Sequence, residues 1–235
     1  MDSFHFLLAV FEFVVLVFSL SVHEAAHAWT ANRLGDPTAR MLGRVTLNPV
    51  KHVDLIGTIV LPLFMIFMPG YSGVLVGWAK PTPVTPRNFR NLTRDDILTT
   101  LAGPCSNMLV AFIATIALVI LSKTSATANS IVHMLAGRAP LDPSVIAGGG
   151  AVLPLAILFY MSVTLNVILF IFNLIPLPPL DGSHVIRHML PYKVLRVYDS
   201  IGIIGLLVFI VLGGRVIMIF AGPLLSFLNG ILLSF

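Results

Sequence analysis

An apolar stretch of membrane-spanning length, Phe4 to Val22, runs directly into His23-Glu24-Ala25-Ala26-His27. Few features restrict a chain more. Crossing the hydrocarbon core of a bilayer takes about 20 residues. Imidazole and carboxylate groups at that depth are costly and are kept for a purpose. The bland reading, a helix end whose polar residues snorkel to the interface, is disfavoured by that cost.

Composition supports a membrane setting. The 235 residues are 57% hydrophobic and 10% charged, against about 25% charged in an average soluble domain. A small soluble core cannot absorb that excess. Ile97 to Leu121, Val152 to Ile175 and Ile201 to Phe235 are also long enough to cross, and the last could cross twice about a hinge near Gly213-Gly214-Arg215. His52 to Met68 is shorter and ends at Pro69-Gly70, so it either crosses or dips in and returns. The expected fold is an α-helical polytopic membrane protein with five or six membrane segments. A single domain over 1–235 is expected, because the connections at 31–51, 77–96 and 122–150 are too short to bury cores of their own.

The N-terminus lacks a basic n-region and a small-residue cleavage site, so it reads as a retained helix rather than a secretory signal. Basic clusters follow the first helix (Arg33, Arg40, Arg44, Lys51) and precede the Ile97 segment (Lys80, Arg87, Arg90, Arg94). Both face the cytoplasm under the positive-inside rule only if 53–68 is re-entrant, and re-entry is the favoured reading. The net charge of +4 lies in short loops, which suits anionic lipid head groups and not nucleic acid. One cysteine, Cys105, excludes a disulfide framework or a multi-cysteine zinc site.

Val74-Leu75-Val76 and Pro81 to Thr85 flank the turn Gly77-Trp78-Ala79-Lys80 and read as two short extended pieces. Prolines at 81, 83 and 86 restrict them to an edge strand or a strap. Such an edge is expected to hold an unwound substrate segment through main-chain hydrogen bonds.

His23 and His27 are one turn apart on one helix face and can reach one ion. Zinc suits two neutral imidazoles and a carboxylate, with water in the fourth position. Glu24 is then placed to take a proton from that water as general base. The only other glutamate, Glu12, lies about 16 Å away along the axis and cannot close the site. Aspartate, histidine and Cys105 remain. Asp181 is the strongest, because it ends Asn173-Leu174-Ile175-Pro176-Leu177-Pro178-Pro179-Leu180-Asp181-Gly182, whose prolines break the helix after a long apolar segment. Its alternative is a helix cap. His184, one turn on, is the rival ligand.

HEAAH in an early membrane helix together with NLIPLPPLDG near a later one resembles the site-2 protease family of intramembrane metalloproteases, the peptidase M50 type. Asn48 to Asp54, Gly77 to Pro81 and Ala102 to Asn107 are similar to features of its compact members, those without PDZ or CBS domains. The resemblance covers most of the chain. It implies one zinc per chain on His23, His27 and Asp181, with Glu24 as base. It also implies that Asn173 binds substrate or stabilises the oxyanion. His52 and Asp54 either face the cavity or mark an interface. Asn107 and Asn166 read as hydrogen-bonding groups between helices, and His5, His133 and His188 carry no signal.

The expected activity is hydrolysis of peptide bonds within or near transmembrane segments. Single-pass membrane proteins are the expected substrates, and a bacterial or archaeal plasma (inner) membrane is the expected location. A homo-oligomer is compatible with the sequence. The competing classes are a membrane zinc transporter, which would need several sites along a path and commonly inverted repeats, and a non-catalytic binder of membrane helices.

Overall fold

The computed structural model describes residues 3–68, 75, 77–140, 142–212 and 214–235. Helix α1 (Ser3–Leu34) continues through HEAAH without interruption. After a single turn, α2 (Thr38–Met41), the chain reaches a π-helical stretch at Leu55–Val60 that passes into α3 (Leu61–Phe67). Then come α4 (Leu92–Ser122), α5 (Ala126–Gly137), α6 (Pro143–Gly148) and α7 (Val152–Leu174). The short α8 (Asp181–Arg187), α9 (Tyr192–Leu212, bent at Gly202) and α10 (Gly214–Leu233) complete the chain.

Among the described residues four helices are long and apolar enough to cross a bilayer: His5–Leu34, Leu92–Ser122, Val152–Leu174 and Arg215–Leu233. The protein is a multi-pass helical membrane protein. The stretch from Leu55 to Phe67 has six π-helical and seven α-helical residues, so it extends at most about 20 Å, short of the roughly 30 Å hydrocarbon core. That length suits a segment that dips in and returns. The hinge that the sequence places at Gly213-Gly214-Arg215 falls where α9 gives way to α10, but Gly213 itself lies outside the described residues, as do Pro69 and Gly70.

Helix α4 is the central element, packed against α1 on one side and α7 on the other. Small residues make the approach close: Ser19, Ala28 and Ala31 on α1 and Ala111 on α4 are fully buried, which is how membrane helices gain contact in the absence of a strong hydrophobic drive. A second core joins α4, α5, α7 and α10 around Leu118, Ile131, Val167 and Leu228. The connection at 122–150 is therefore more structured than its polar lean predicts. Ala128, Ile131, Val132 and Ala136 give α5 a buried stripe at helical spacing.

Of the two alternatives for this stretch, edge strand or strap, the described residues show the strap. Among the described residues 77–85 form an extended strap with no strand pairing; Val74 and Val76 lie outside the described residues. The reason is local. Pro81 and Pro83 lack N–H groups, and several of the remaining polar groups are engaged within the fold. Thr82 N–H donates to Glu24 and Thr85 N–H to Asp36, while the Lys80 and Pro81 carbonyls accept from Arg44.

Candidate metal centre

Three parallel stripes of side chains build the site. Ser19, His23 and His27 recur every fourth residue along α1. Asp96, Thr99, Gly103 and Asn107 line one face of α4, and Asp181, His184 and His188 line one face of α8. Helix α4 packs against both of the other helices, and the hydrogen bonds that hold the two ring Nδ1 atoms come from it.

His27 Nδ1 lies 2.7 Å from the Thr99 carbonyl oxygen. A carbonyl can only accept, so this nitrogen carries the proton. Pro104 supplies no N–H to the Thr100 carbonyl and so interrupts the α4 ladder at this turn. His23 Nδ1 lies 2.7 Å from Asn107 Oδ1. The orientation of that amide follows from its neighbours. Asn107 Nδ2 donates to Asn166 Oδ1 at 2.8 Å and to the Ser19 carbonyl at 3.3 Å. Asn166 Nδ2 in turn donates to Ser19 Oγ and the Ser162 carbonyl. Both ring Nδ1 atoms are thus donors, and both Nε2 atoms present lone pairs to the same point.

Asp181 supplies the third group. It is the first residue of α8 and not a cap: Leu180 holds the cap position, and no side chain caps that end. Asp181 Oδ2 lies 3.1 Å from His23 Nε2 and 3.4 Å from His27 Nε2, and the two Nε2 atoms are 3.0 Å apart. The oxygen is buried and accepts no hydrogen bond. Three lone-pair donors converging in a buried place repel one another unless a cation sits among them. Their spacing matches the edges of a tetrahedron, about 3.3 Å for ligands 2.0–2.1 Å from zinc. Among the described residues this is the one group of three such side chains with its ligand atoms within 4.8 Å of one another.

Two glycines clear the space. A Cβ at Gly103 would collide with the rings of His27 and His23, and one at Gly182 would collide with the Leu174 carbonyl. The first leaves room for the imidazoles. The second lets α8 sit against the end of α7, which brings Asp181 inward.

Glu24 is half-buried beside the histidines. Its Oε2 accepts from Thr82 N–H at 2.7 Å, and Thr82 Oγ1 donates to the Glu24 main-chain carbonyl at 3.0 Å. One carboxylate oxygen is held, and the other carries no hydrogen bond among the described residues. The strap that delivers Thr82 is tied down at Asp36, which accepts from Thr38, Thr85 and Asn88. Asn173 lies at the end of α7, where its Nδ2 donates to the Leu169 carbonyl.

The sequence model of peptidase family M50 matches residues 11–213. The chain belongs to peptidase family M50. It is 36% identical over 199 residues to "Putative zinc metalloprotease YwhC" of Bacillus subtilis, a match covering 85% of this chain and 78% of that one. It is 29% identical over 164 residues to "Putative zinc metalloprotease Rip2" of Mycolicibacterium smegmatis, covering 70% of this chain and 51% of the relative. The chain thus matches about half the length of that mycobacterial relative. No solved structure matches.

Membership of the M50 family implies zinc, and the converging donor set fits it. Several residues of this M50 site escape a reading of the sequence. Thr99 acts through its main chain, which no side-chain pattern reveals. Thr82 reaches Glu24 from 58 positions away. Asn107 reads as an interhelical group and is one, but it also sets the tautomer of His23. His52 proves structural, since its Nε2 bonds the Thr46 carbonyl while its own carbonyl accepts from Lys80. Asp54 caps the π-helical stretch through Ile56 and Gly57. The rival ligand His184 points instead towards Asp96, 3.7 Å away.

Proposed function

We propose that this chain is an intramembrane zinc endopeptidase, binding one zinc on His23, His27 and Asp181 and using Glu24 as general base. The convergence of two Nε2 lone pairs and an unpartnered carboxylate oxygen beside a second, half-held carboxylate carries the reading. When bound, zinc supplies Lewis acidity towards water and the scissile carbonyl. Glu24 accepts the proton of the attacking water as the new C–O bond forms at the carbonyl carbon. It then delivers that proton to the amine nitrogen as the C–N bond breaks. Thr82 holds Oε2 in place, so the free Oε1 is the atom that moves the proton. Asn173 is the proposed oxyanion donor; serving there requires its amide to leave the Leu169 carbonyl.

The expected substrates are single-pass membrane proteins, unwound locally so that a carbonyl is exposed, in a bacterial or archaeal plasma membrane. The stretch from Leu55 to Phe67 is proposed to be re-entrant. The decisive experiment compares zinc content and cleavage of a model single-pass substrate by the wild type, Glu24→Gln and Asp181→Ala. One zinc in the wild type, retained without cleavage in Glu24→Gln and lost in Asp181→Ala, is the expected pattern. Cleavage by Glu24→Gln at the wild-type rate would overturn the proposal in favour of another base. A zinc-loaded wild type that cleaves nothing would favour transport or binding.

A further inference from the structure

Asp181 differs from the other two proposed ligands in having no hydrogen bond of its own to hold it. Its position depends on α8, a helix of seven residues, too short to be stable without tertiary contacts. What anchors α8 therefore places the third ligand.

The strongest anchor lies on the stripe that also orients the histidines. Asp96 sits one turn before Thr99 on α4 and is buried. Its Oδ2 accepts from His188 Nε2 at 2.7 Å and faces His184 Nδ1 at 3.7 Å. His184 and His188 share the face of α8 that carries Asp181, one and two turns further on. Arg187 pairs with Asp199 of α9 at 3.1 Å, but both side chains are about two-fifths exposed, so that contact is weak. A buried carboxylate that has given up its water needs its donor, and removing the donor leaves Asp96 free to pull away from α8. The group at Asp96 is not a second metal site: among the described residues only the first triad has its ligand atoms close enough together.

We infer that Asp96 is a positioning residue which, through His188 and with His184 beside it, latches α8 onto α4 and holds Asp181 at the zinc. This inference rests on the proposed zinc site. It makes α4 the common template of all three ligands. Thr99 and Asn107 fix the imidazoles directly, and Asp96 fixes the carboxylate at one remove.

The test is zinc affinity of the detergent-purified full chain, measured by competition with a chromogenic chelator, alongside thermal melting of the metal-free protein. Asp96→Ala is expected to weaken zinc binding about tenfold or more, in the range seen when an orienting partner of a metal ligand is removed. The metal-free melting temperature should stay close to wild type. His188→Ala should match it in zinc affinity, though not in melting because it leaves Asp96 buried without its donor, whereas His188→Gln, which still offers an N–H, should recover most of the affinity. Zinc affinity within twofold of wild type in Asp96→Ala would overturn the latch. A parallel fall in metal-free stability and zinc affinity, with no rescue by His188→Gln, would also overturn it by reducing Asp96 to a general packing role. A wild type that binds no zinc would instead overturn the metal site itself, a result distinguishable from either.

Discussion

The two sides of the proposed metal centre are built differently. On the α1 side, two histidines come from one uninterrupted helix, and α4 fixes each tautomer through a buried hydrogen bond. On the α8 side, one aspartate arrives after a proline-rich break, on a helix of two turns, with its inward oxygen unpartnered. The first half is set before any ion binds. The second is delivered by tertiary packing. A site made this way gains affinity from the rigid pair, while its completeness depends on what holds the short helix.

The sharpest way to break the contrast is steric. Gly103→Ala puts a methyl group where the His23 and His27 rings lie, and zinc affinity should fall by more than about 100-fold, beyond the usual loss of one orienting partner. Gly182→Ala presses on the Leu174 carbonyl, displaces only the Asp181 side and should cost less. Equal losses in a chelator competition would erase the distinction between the halves. Next in size is Asn107→Ala, which frees the His23 ring and should lower zinc affinity by about 10–100-fold. Asn107→Asp keeps an acceptor for Nδ1 and should retain more of it, and the reverse ranking would count against the assigned tautomer.

A smaller effect concerns the strap over Glu24. Burial alone would push the Asp36 carboxyl up, but hydrogen bonds from Thr38, Thr85 and Asn88 outweigh it and hold the group below its ordinary value. A depressed folded pKa means that the stabilisation is fully present above the unfolded value of about 3.9 and is lost as pH falls through the folded one. Melting of the detergent-purified chain should therefore drop as pH falls below about 4 and on through the depressed folded value. Asp36→Asn should melt lower at neutral pH and show a shallower drop; a profile parallel to wild type would remove Asp36 from the account. Smallest of all, Thr82→Val keeps the N–H on Glu24 but loses the hydroxyl bond to its carbonyl, worth about 1 kcal/mol. Cleavage should slow several-fold with zinc content unchanged, and a loss of zinc would show that Thr82 supports the metal side as well.

Much of this was legible in residue order. The apolar runs announce α1, α4, α7 and α10, because spanning length and hydropathy are properties of a continuous segment. The HEAAH spacing places two imidazoles on one face, because i and i+4 meet on any helix. Asp181 emerges by elimination and from the prolines before it. The choice between edge strand and strap stayed open, because pattern alone cannot tell an extended strap whose donors bond to carboxylates from a strand whose donors bond to a neighbour. The histidine at 188 gave no signal, since its partner lies 92 positions away.

By itself, then, the sequence determined the solvent the chain folds in, the helices it forms and the identity of the proposed donor atoms, all of which follow from local geometry and composition. The tertiary structure decided which nitrogen of each imidazole is protonated, which backbone amide holds Glu24, and how Asp181 is kept inward. Those outcomes depend on α4 packing against both α1 and α8, so that residues far apart in the chain meet within hydrogen-bonding distance.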